Sequence, residues 1–400
     1  MNVLKKAYCR TFQSAFCVVM PFMPYREPKI LHDIAELPAI LCEKEWARVL
    51  LVTDKMLRAL GTTQKLEDAA AGAGITLTVY DHTVPNPTSD NVEEAKTLYL
   101  LNDCQAIIGF GGGSAIDCAK AVGARIARPR KSLRKMKGIL KILKKTPPII
   151  AIPTTAGTGS ETTLATVITD SHSRHKYPIN DFCLIPSYAV LDPEVTRSLP
   201  SDITAATGMD ALTHAVEAFI GRSTTSKTRR AALEATALIF ANLKICFENG
   251  DDMAARANML RAAYLAGCAF TKSYVGYVHA VAHSLGGKYN VPHGLANAVL
   301  LPFVLEAYGS AAHKKLRRLG LAAGVAQESD SPQAGAEKFV RAIKEMKGVL
   351  HIPDTLDGIK KEDIAALSRY ADKEANPLYP VPKLMNTREL ERFYYDVMEK

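Results

Sequence analysis

The chain has 400 residues, of which 48% are hydrophobic and 23% are charged. This is the composition of an ordinary globular protein, and it excludes a disordered, collagen-like or disulfide-stapled chain. The length exceeds the usual size of one hydrophobic core, so we expect two domains. No uncharged apolar run reaches the roughly 18 residues that a membrane helix needs, so a membrane partner is not expected.

The net charge of +9 is concentrated in one segment. Residues 125–145 contain ten Lys or Arg residues and no Asp or Glu, whereas the rest of the chain has 40 basic and 41 acidic residues. Leu133, Met136, Leu140 and Leu143 recur there at helical spacing, which predicts an amphipathic basic helix. Such a helix is usually a solvated surface with one docked face, and an anionic partner or an oligomer contact is the functional alternative. No aromatic residues interleave with the charges, so nucleic acid is not an expected partner.

The N-terminus has a basic stretch followed by an apolar one, as export signals do. Lys5, Lys6 and Arg10 precede the apolar residues 16–23, but two prolines interrupt this stretch and no small-residue cleavage site follows it. We therefore predict an N-terminal strand or extension of a cytoplasmic protein. The eight cysteines form no C-x-x-C pair, and we expect free thiols in a reducing compartment rather than disulfides or zinc ligands.

The first half of the chain alternates between predicted strands and helices. Strands are predicted at residues 48–53, 75–80, 106–110, 149–152, 164–169 and 188–191, and helices at residues 91–101 and 115–127. Continuous β-branched runs joined by helices are typical of a parallel sheet that is covered on both faces.

The second half of the chain carries only helical patterns. They begin at Asp202, and breaks are predicted at residues 221, 249–250, 292, 302 and 353. We predict an α/β domain with a parallel, Rossmann-like sheet at residues 1–200 and an all-helical domain at residues 201–400.

Two glycine-rich loops follow predicted strands. The first, GFGGGS at residues 109–114, opens a helix whose free N–H groups and dipole favour an anion such as a phosphate. Its spacing is not G-x-G-x-x-G, so a tight structural turn is the alternative. The second, TTAGTGSE at residues 154–161, should lie beside the first at the carboxyl edge of the sheet, where such folds bind ligands.

Asp54 ends the strand at residues 48–53. A carboxylate at this position can accept hydrogen bonds from a ribose diol and repels a 2′-phosphate, which favours NAD over NADP. Capping of the following helix is the alternative role for this side chain.

The helical half contains a carboxylate and several histidines at metal-ligand spacing. Asp210 and His214 are four residues apart and therefore face the same way on a helix. His279 and His283 repeat this spacing, and His293 follows a proline at the next helix start. One carboxylate and three imidazoles suit a first-row divalent metal such as Fe²⁺ or Zn²⁺, whereas one such pair alone would indicate a helix-surface pair.

These motifs resemble those of the iron-containing (group III) alcohol dehydrogenases. The resemblance rests on GFGGGSAIDCAK, AIPTTAGTGSE, GMDALTHAVEA and GYVHAVAHSLGGKYNVPHGLANAVLLP, and it spans about residues 48–302 in the family's order and spacing. It implies the two-domain fold that this family shares with dehydroquinate-synthase-like proteins, with the active site in the cleft between the domains. It also implies homodimers or larger homo-oligomers.

The resemblance implies roles for individual residues as well. It makes Asp210, His214, His279 and His293 the metal ligands, and it places His283 beside the nicotinamide and the substrate. It places Phe270 at the substrate pocket. Near the dinucleotide it places Asp54, Asn86, Gly112, Gly113, Ser114, Asp117, Thr154, Thr155 and Lys176.

The function that we expect is reversible hydride transfer between NAD and a primary alcohol or small diol, giving the aldehyde. The metal would act as a Lewis acid on the substrate oxygen, and His283 would relay a proton or only support the metal site. One alternative is a metal- and NAD-dependent lyase or synthase on the same scaffold. The other is a non-enzymatic protein that binds a polyanion through the basic segment.

Overall fold

A computed structural model of the chain describes residues 1, 3–173 and 175–399. They form two compact units. The α/β unit contains residues 24–198, and the helical unit combines residues 1–23 with residues 199–400. The division that we expected at residue 200 thus differs at the N-terminus, because helix α1 (Val3–Val19) groups with the C-terminal half.

The α/β unit contains nine strands and six of the helices in the described part of the chain. The strands are β1 (Lys29–Leu31), β2 (Arg48–Val52), β3 (Thr76–Tyr80), β4 (Ala106–Gly111), β5 (Gly138–Ile139), β6 (Ile149–Pro153), β7 (Ala165–Thr169), β8 (Lys176–Asn180) and β9 (Tyr188–Val190). The helices are α2 (Leu37–Glu43), α3 (Lys55–Ala59), α4 (Gln64–Gly72), α5 (Ser89–Leu101), α6 (Gly113–Ala127) and α7 (Leu133–Met136).

Six of these strands form the predicted parallel sheet, in the order β1-β9-β6-β4-β2-β3. A second sheet has the order β5-β8-β7, and β8 pairs with β7 in antiparallel fashion. The strands at the six predicted positions are confirmed. Strand β8 was not predicted, since Pro178 inside it argues against a strand in sequence patterns.

Side chains of β2 show why the parallel sheet is buried on both faces. Val49 and Leu51 pack into one hydrophobic cluster with residues of α2 and α4, whereas Leu50 and Val52 pack into another with residues of α5 and α6. All four are fully buried. Alternate residues of a strand point to opposite faces, so a continuous apolar run is what a sheet covered by helices on both sides requires.

The predicted basic helix is wrong for most of its length. Helix α6 ends at Ala127, and only α7 is helical in the rest of the segment 125–145. Leu140 and Leu143 have positive φ angles of 52° and 50°. The backbone is held by long-range bonds, because Oδ2 of Asp181 accepts the N–H groups of Ile142 and Leu143, each at 2.9 Å. The guanidinium of Arg125 donates to three carbonyl oxygens of residues 128–131.

The helical unit contains α1 and nine further helices within the described residues. They are α8 (Ser201–Ile220), α9 (Ser226–Glu248), α10 (Met253–Ser273), α11 (Tyr277–Tyr289), α12 (His293–Tyr308), α13 (His313–Ala322), α14 (Pro332–Val349), α15 (Lys361–Ala375) and α16 (Thr387–Val397).

Two predictions about this unit are corrected. Pro302 was expected to break a helix, but it lies within α12, where packing of a buried helix outweighs the roughly 3 kcal/mol that an internal proline costs. Residues 3–19 form helix α1 rather than a strand or extension. Its polar side chains fix it to the C-terminal residues, since Lys5 pairs with Asp372 and the amide of Gln13 donates to the carbonyl oxygen of Tyr379.

Among the described residues, one segment is long and apolar enough by composition to cross a membrane. It spans residues 293–311, and 56% of its most apolar window is buried inside the protein. The segment consists mainly of α12, which packs against α8 and α11. This burial is that of a core helix, which passes the same compositional test.

Candidate functional site

The two glycine-rich loops lie side by side at the carboxyl ends of β4 and β6, as predicted. These strands are parallel neighbours, with Gly111 opposite Pro153. A Cβ atom added at Gly113 would lie 3.1 Å from Cγ2 of Thr158, so the first turn of α6 touches the second loop. This close approach needs glycine, and the start of a helix beside it is the kind of position that favours an anion.

Asp54 caps a helix and also lies beside the first glycine loop. Its Oδ1 accepts the N–H of Leu57 at 2.9 Å and thereby caps α3. Its Oδ2 lies 3.7 Å from the position that a Cβ of Gly111 would occupy, so the carboxylate also borders the first glycine loop. Gly111 has a φ of 150°, which side chains rarely adopt, and its Cβ would lie only 2.8 Å from Cβ of Ala115.

The other predicted dinucleotide residues fall into a connected group around these loops. Nζ of Lys176 donates to Oδ1 of Asn86 at 2.6 Å, and the N–H of Asn86 donates to Oγ of Ser114 at 3.2 Å. Thr155 lies next to Gly112, and the N–H of Thr154 donates to the carbonyl oxygen of Gly111.

Asp117 has a tethering role in the structure. Its Oδ2 accepts the N–H of Val167 in β7 at 2.9 Å, and its Oδ1 accepts a longer bond of 3.4 Å from the hydroxyl of Ser160 in the second loop. Burial raises the pKa of this carboxyl to about 6. The side chain thus fixes the second loop and β7 against α6.

The four predicted ligands come together in the helical unit. Asp210 and His214 project from α8, His279 from α11, and His293 begins α12. One ligand atom from each lies within 4.8 Å of every other, and all but His293 are buried. Oδ1 of Asp210 is 4.0 Å from Nε2 of His279 and 3.6 Å from Nε2 of His293. One carboxylate oxygen and three imidazole nitrogens at this spacing fit a divalent first-row metal such as Fe²⁺ or Zn²⁺.

A buried carboxylate orients one of these imidazoles. Oε2 of Glu217 accepts the Nδ1–H of His279 at 2.7 Å. This hydrogen bond assigns the proton to Nδ1 and leaves the lone pair of Nε2 facing Asp210. Glu217 also accepts the N–H groups of Gly276 and Val278. Burial, reinforced by the neighbouring histidines, holds the pKa of His279 well below its usual value, so this imidazole is neutral as a metal ligand must be. Burial raises the pKa of Glu217 to about 7, against the opposing effect of its three donors.

One amide contacts three of the four cluster members. Nδ2 of Asn297 lies 2.7 Å from Oδ1 of Asp210, 3.2 Å from Nε2 of His279 and 3.1 Å from Nε2 of His293. Asn297 is fully buried in α12, one turn after His293.

His283 lies at the partly exposed side of the cluster, with 43% of its side chain accessible. Its ring stacks on that of His293 at 5.2 Å, and its Nδ1 is 2.6 Å from Oε1 of Glu374. The same oxygen accepts the hydroxyl of Tyr379 at 2.7 Å. Phe270 stacks on His214 at 4.2 Å with nearly parallel rings, so it borders the cluster on another side.

Three residues of this site were missed in the sequence. Glu217 is seven residues after Asp210 on α8, and Asn297 is four residues after His293 on α12, so helical spacing alone could have placed both on the faces that carry the ligands. Glu374 offered no such signal, because it is 91 residues from His283.

Comparison with known proteins agrees with this geometry. Models of the iron-containing alcohol dehydrogenase family match residues 31–193 and, for its C-terminal domain, residues 204–398. The 1,3-propanediol dehydrogenase of Citrobacter freundii is 36% identical over 383 residues, which cover 95% of this chain and 98% of that protein. The chain belongs to the iron-containing alcohol dehydrogenase family.

Two solved structures are similar to this chain over 93% of its length. The crystal structure of a 1,3-propanediol oxidoreductase has a TM-score of 0.89 and 35% identity, over 93% of this chain and 99% of that one. A sulfoacetaldehyde reductase from Bifidobacterium kashiwanohense, solved in complex with NAD⁺, has a TM-score of 0.83 and 29% identity over 93% and 98% of the two chains. The predicted fold class is confirmed, and the dehydrogenase is favoured over the lyase or synthase alternative.

Proposed function

We propose that this family member interconverts a short primary alcohol or diol and its aldehyde, with NAD as the hydride carrier and Fe²⁺ or Zn²⁺ as the metal. The observation that carries the proposal is the cluster of Asp210, His214, His279 and His293, whose ligand atoms lie within 4.8 Å of one another and of which all but His293 are buried. When bound, the metal ion supplies Lewis-acid stabilisation of negative charge on the substrate oxygen. The similarity to 1,3-propanediol dehydrogenase supports a small alcohol or diol as substrate.

We assign the dinucleotide to the loops after β2, β4 and β6. The N–H groups at the start of α6 would receive the pyrophosphate, next to Gly112 and Gly113. Asp54, which borders this loop, would accept the ribose hydroxyls. The linked side chains of Asn86, Ser114 and Lys176 would frame the same site, with Thr154 and Thr155 from the second loop. When bound, NAD would supply the hydride acceptor. Asp117, which bonds to Ser160 of the second loop, would support the same site.

The protein's own groups prepare the substrate oxygen for this transfer. Glu217 fixes His279 so that its Nε2 lone pair faces the cluster. His283 holds a proton at Nδ1 on Oε1 of Glu374, and its half-exposed ring provides a route for a proton between the substrate oxygen and solvent. Phe270, stacked on His214, would line the pocket for the carbon chain of the substrate.

The test is NADH formation by the purified protein, followed by absorbance with a panel of short alcohols and diols. We expect activity after loading with Fe²⁺ or Zn²⁺ and loss of activity on chelation. His279→Ala should abolish both metal binding and NADH formation. His172→Ala, which changes an exposed histidine in the turn after β7, is the control and should retain both.

Two results would count against the proposal. Full activity of His279→Ala would show that the reaction does not depend on a metal at this cluster. Conversion of a substrate without net NADH, despite bound metal and NAD, would favour the lyase or synthase alternative.

The cellular setting is also part of the proposal. All eight cysteines are free thiols, and five of them are buried. Free thiols are typical of a reducing compartment, which supports a cytoplasmic enzyme. We further propose a homodimer or larger homo-oligomer, which light scattering of the purified protein would test.

A further inference from the structure

Asn297 contacts three members of the ligand cluster through one amide nitrogen. Its amide nitrogen lies within 3.2 Å of a carboxylate oxygen and two imidazole nitrogens. These belong to Asp210 on α8, His279 on α11 and His293 on α12. Asn297 also donates a hydrogen bond to Asp210, a carboxylate with 1% exposure.

The orientation of this amide follows from its neighbours. Nε2 of His279 is an acceptor, because Nδ1 of the same ring donates to Glu217. Turning the amide of Asn297 by 180° would therefore place its oxygen against a carboxylate oxygen and an imidazole lone pair. The amide keeps its nitrogen inward although its Oδ1 is then buried without a hydrogen-bond partner among the described residues. An unpaired buried acceptor costs about 1–3 kcal/mol. The hydrogen bonds that the NH₂ group donates to the cluster must therefore offset this cost.

From these contacts we infer that Asn297 is a positioning residue of the metal centre. The inference rests on the proposed function, in which Asp210, His279 and His293 are ligands. The NH₂ group has only two hydrogens, and a bound metal would take the Nε2 lone pairs of the imidazoles, so the contact that bears on metal binding is the 2.7 Å bond to Oδ1 of Asp210. The charge-assisted bond to Asp210 then fixes which way the carboxylate oxygen points. Loss of such a supporting contact typically weakens metal binding by roughly 10–100-fold.

The experiment measures metal affinity rather than turnover. Purified protein is stripped with a chelator, and Zn²⁺ or Co²⁺ is titrated back in competition with a chromophoric chelator. We expect the Kd of Asn297→Leu to rise by roughly 10–100-fold over the wild type, and the Co²⁺ absorption spectrum to change. The matched control is Asn242→Leu, which removes another buried amide that bonds to the carbonyl oxygen of Leu238 in α9. Both variants should lose thermal stability, but only Asn297→Leu should lose metal affinity.

A second variant keeps the inference testable if Asn297→Leu does not fold. Asn297→Asp preserves the shape and replaces the donor by a carboxylate beside Asp210. We expect the stripped variant to melt at a lower temperature than the stripped wild type, and metal to raise its melting temperature more than that of the wild type.

The outcomes separate this inference from the proposed function. The role of Asn297 is overturned if Asn297→Leu binds metal as tightly as the wild type, or if metal-free Asn297→Asp melts at the same temperature as the metal-free wild type. Neither result contradicts the metal centre itself. Absence of metal binding by the wild type overturns the metal centre itself, and the inference with it.

Discussion

Glu217 and His279 form a buried pair in which the carboxylate accepts the Nδ1–H of the imidazole at 2.7 Å. Because this bond fixes the tautomer, Glu217→Gln should weaken metal binding by roughly 10–100-fold, even though the variant has nearly the same shape. The Kd for Zn²⁺, measured by chelator competition, checks this. Glu306→Gln changes an exposed carboxylate that pairs with Lys344, and it should leave the Kd unchanged. Equal Kd values for Glu217→Gln and the wild type would contradict the tautomer argument.

Glu374 and His283 should act as one unit in proton transfer. If the carboxylate works only by holding the imidazole, His283→Ala and Glu374→Ala should each lower kcat by about 10²-fold, and the double variant should be no slower than the singles. Steady-state kinetics of the three proteins measure this coupling. An unchanged kcat in His283→Ala at every pH would rule out the relay.

A control for this pair exists on the same two helices. Asp363 of α15 accepts the hydroxyl of Tyr289 and pairs with Lys288, so it ties α15 to α11 as Glu374 does. Asp363→Ala should lower stability without changing kcat. A fall in kcat equal to that of Glu374→Ala would mean that the link between the helices, rather than the proton route, is what matters.

Asp54 should set the preference for NAD. A carboxylate about 4 Å from a 2′-phosphate repels it by roughly 1–4 kcal/mol, so Asp54→Ala should raise the ratio of kcat/KM for NADP to that for NAD about tenfold or more. The variant also loses a helix cap, which costs about 1 kcal/mol. Asp252→Ala removes an equivalent cap from α10 and should match the loss of stability without the change in preference. Equal use of NADP by the wild type would refute the repulsion.

Features of the fold and the site could be predicted from the sequence where they depend on neighbouring residues, but not where they depend on contacts between residues far apart in the chain. The parallel strands and the pair of Asp210 and His214 at i and i+4 could be predicted, since apolar runs and helical spacing are local patterns. The basic segment could not. Leu140 and Leu143 have helical spacing, yet Asp181 binds the N–H groups of residues 142 and 143 from about 40 positions away. Likewise, the contact between Glu217 and His279 joins residues 62 apart, which spacing within one helix cannot show.

Lys120 is a buried cation without a carboxylate within hydrogen-bond distance among the described residues. Its Nζ donates to the carbonyl oxygens of Thr163 and Ala165 and to the hydroxyl of Thr163, at 2.8–2.9 Å, and so holds the chain between the second glycine loop and β7. Lys120→Met leaves these acceptors buried and unpaired, so the free energy of unfolding should fall by about 2–4 kcal/mol at pH 7.

The pH dependence of that difference tests the charge of Lys120 directly. Burial lowers the pKa of this amine from 10.5 to about 8. Between these two values the unfolded chain binds more protons at Lys120 than the folded protein does, so wild-type stability gains from this group as the pH rises. Lys120→Met has no such group. The variant also loses the charge that lowers the pKa values of Asp117 and Glu161, and the resulting rise of both values widens the difference in the same direction. The difference in unfolding free energy, measured in urea from pH 7 to pH 10.5, should therefore widen by on the order of 3 kcal/mol. A difference that stays constant with pH would mean that the ammonium of Lys120 is not desolvated.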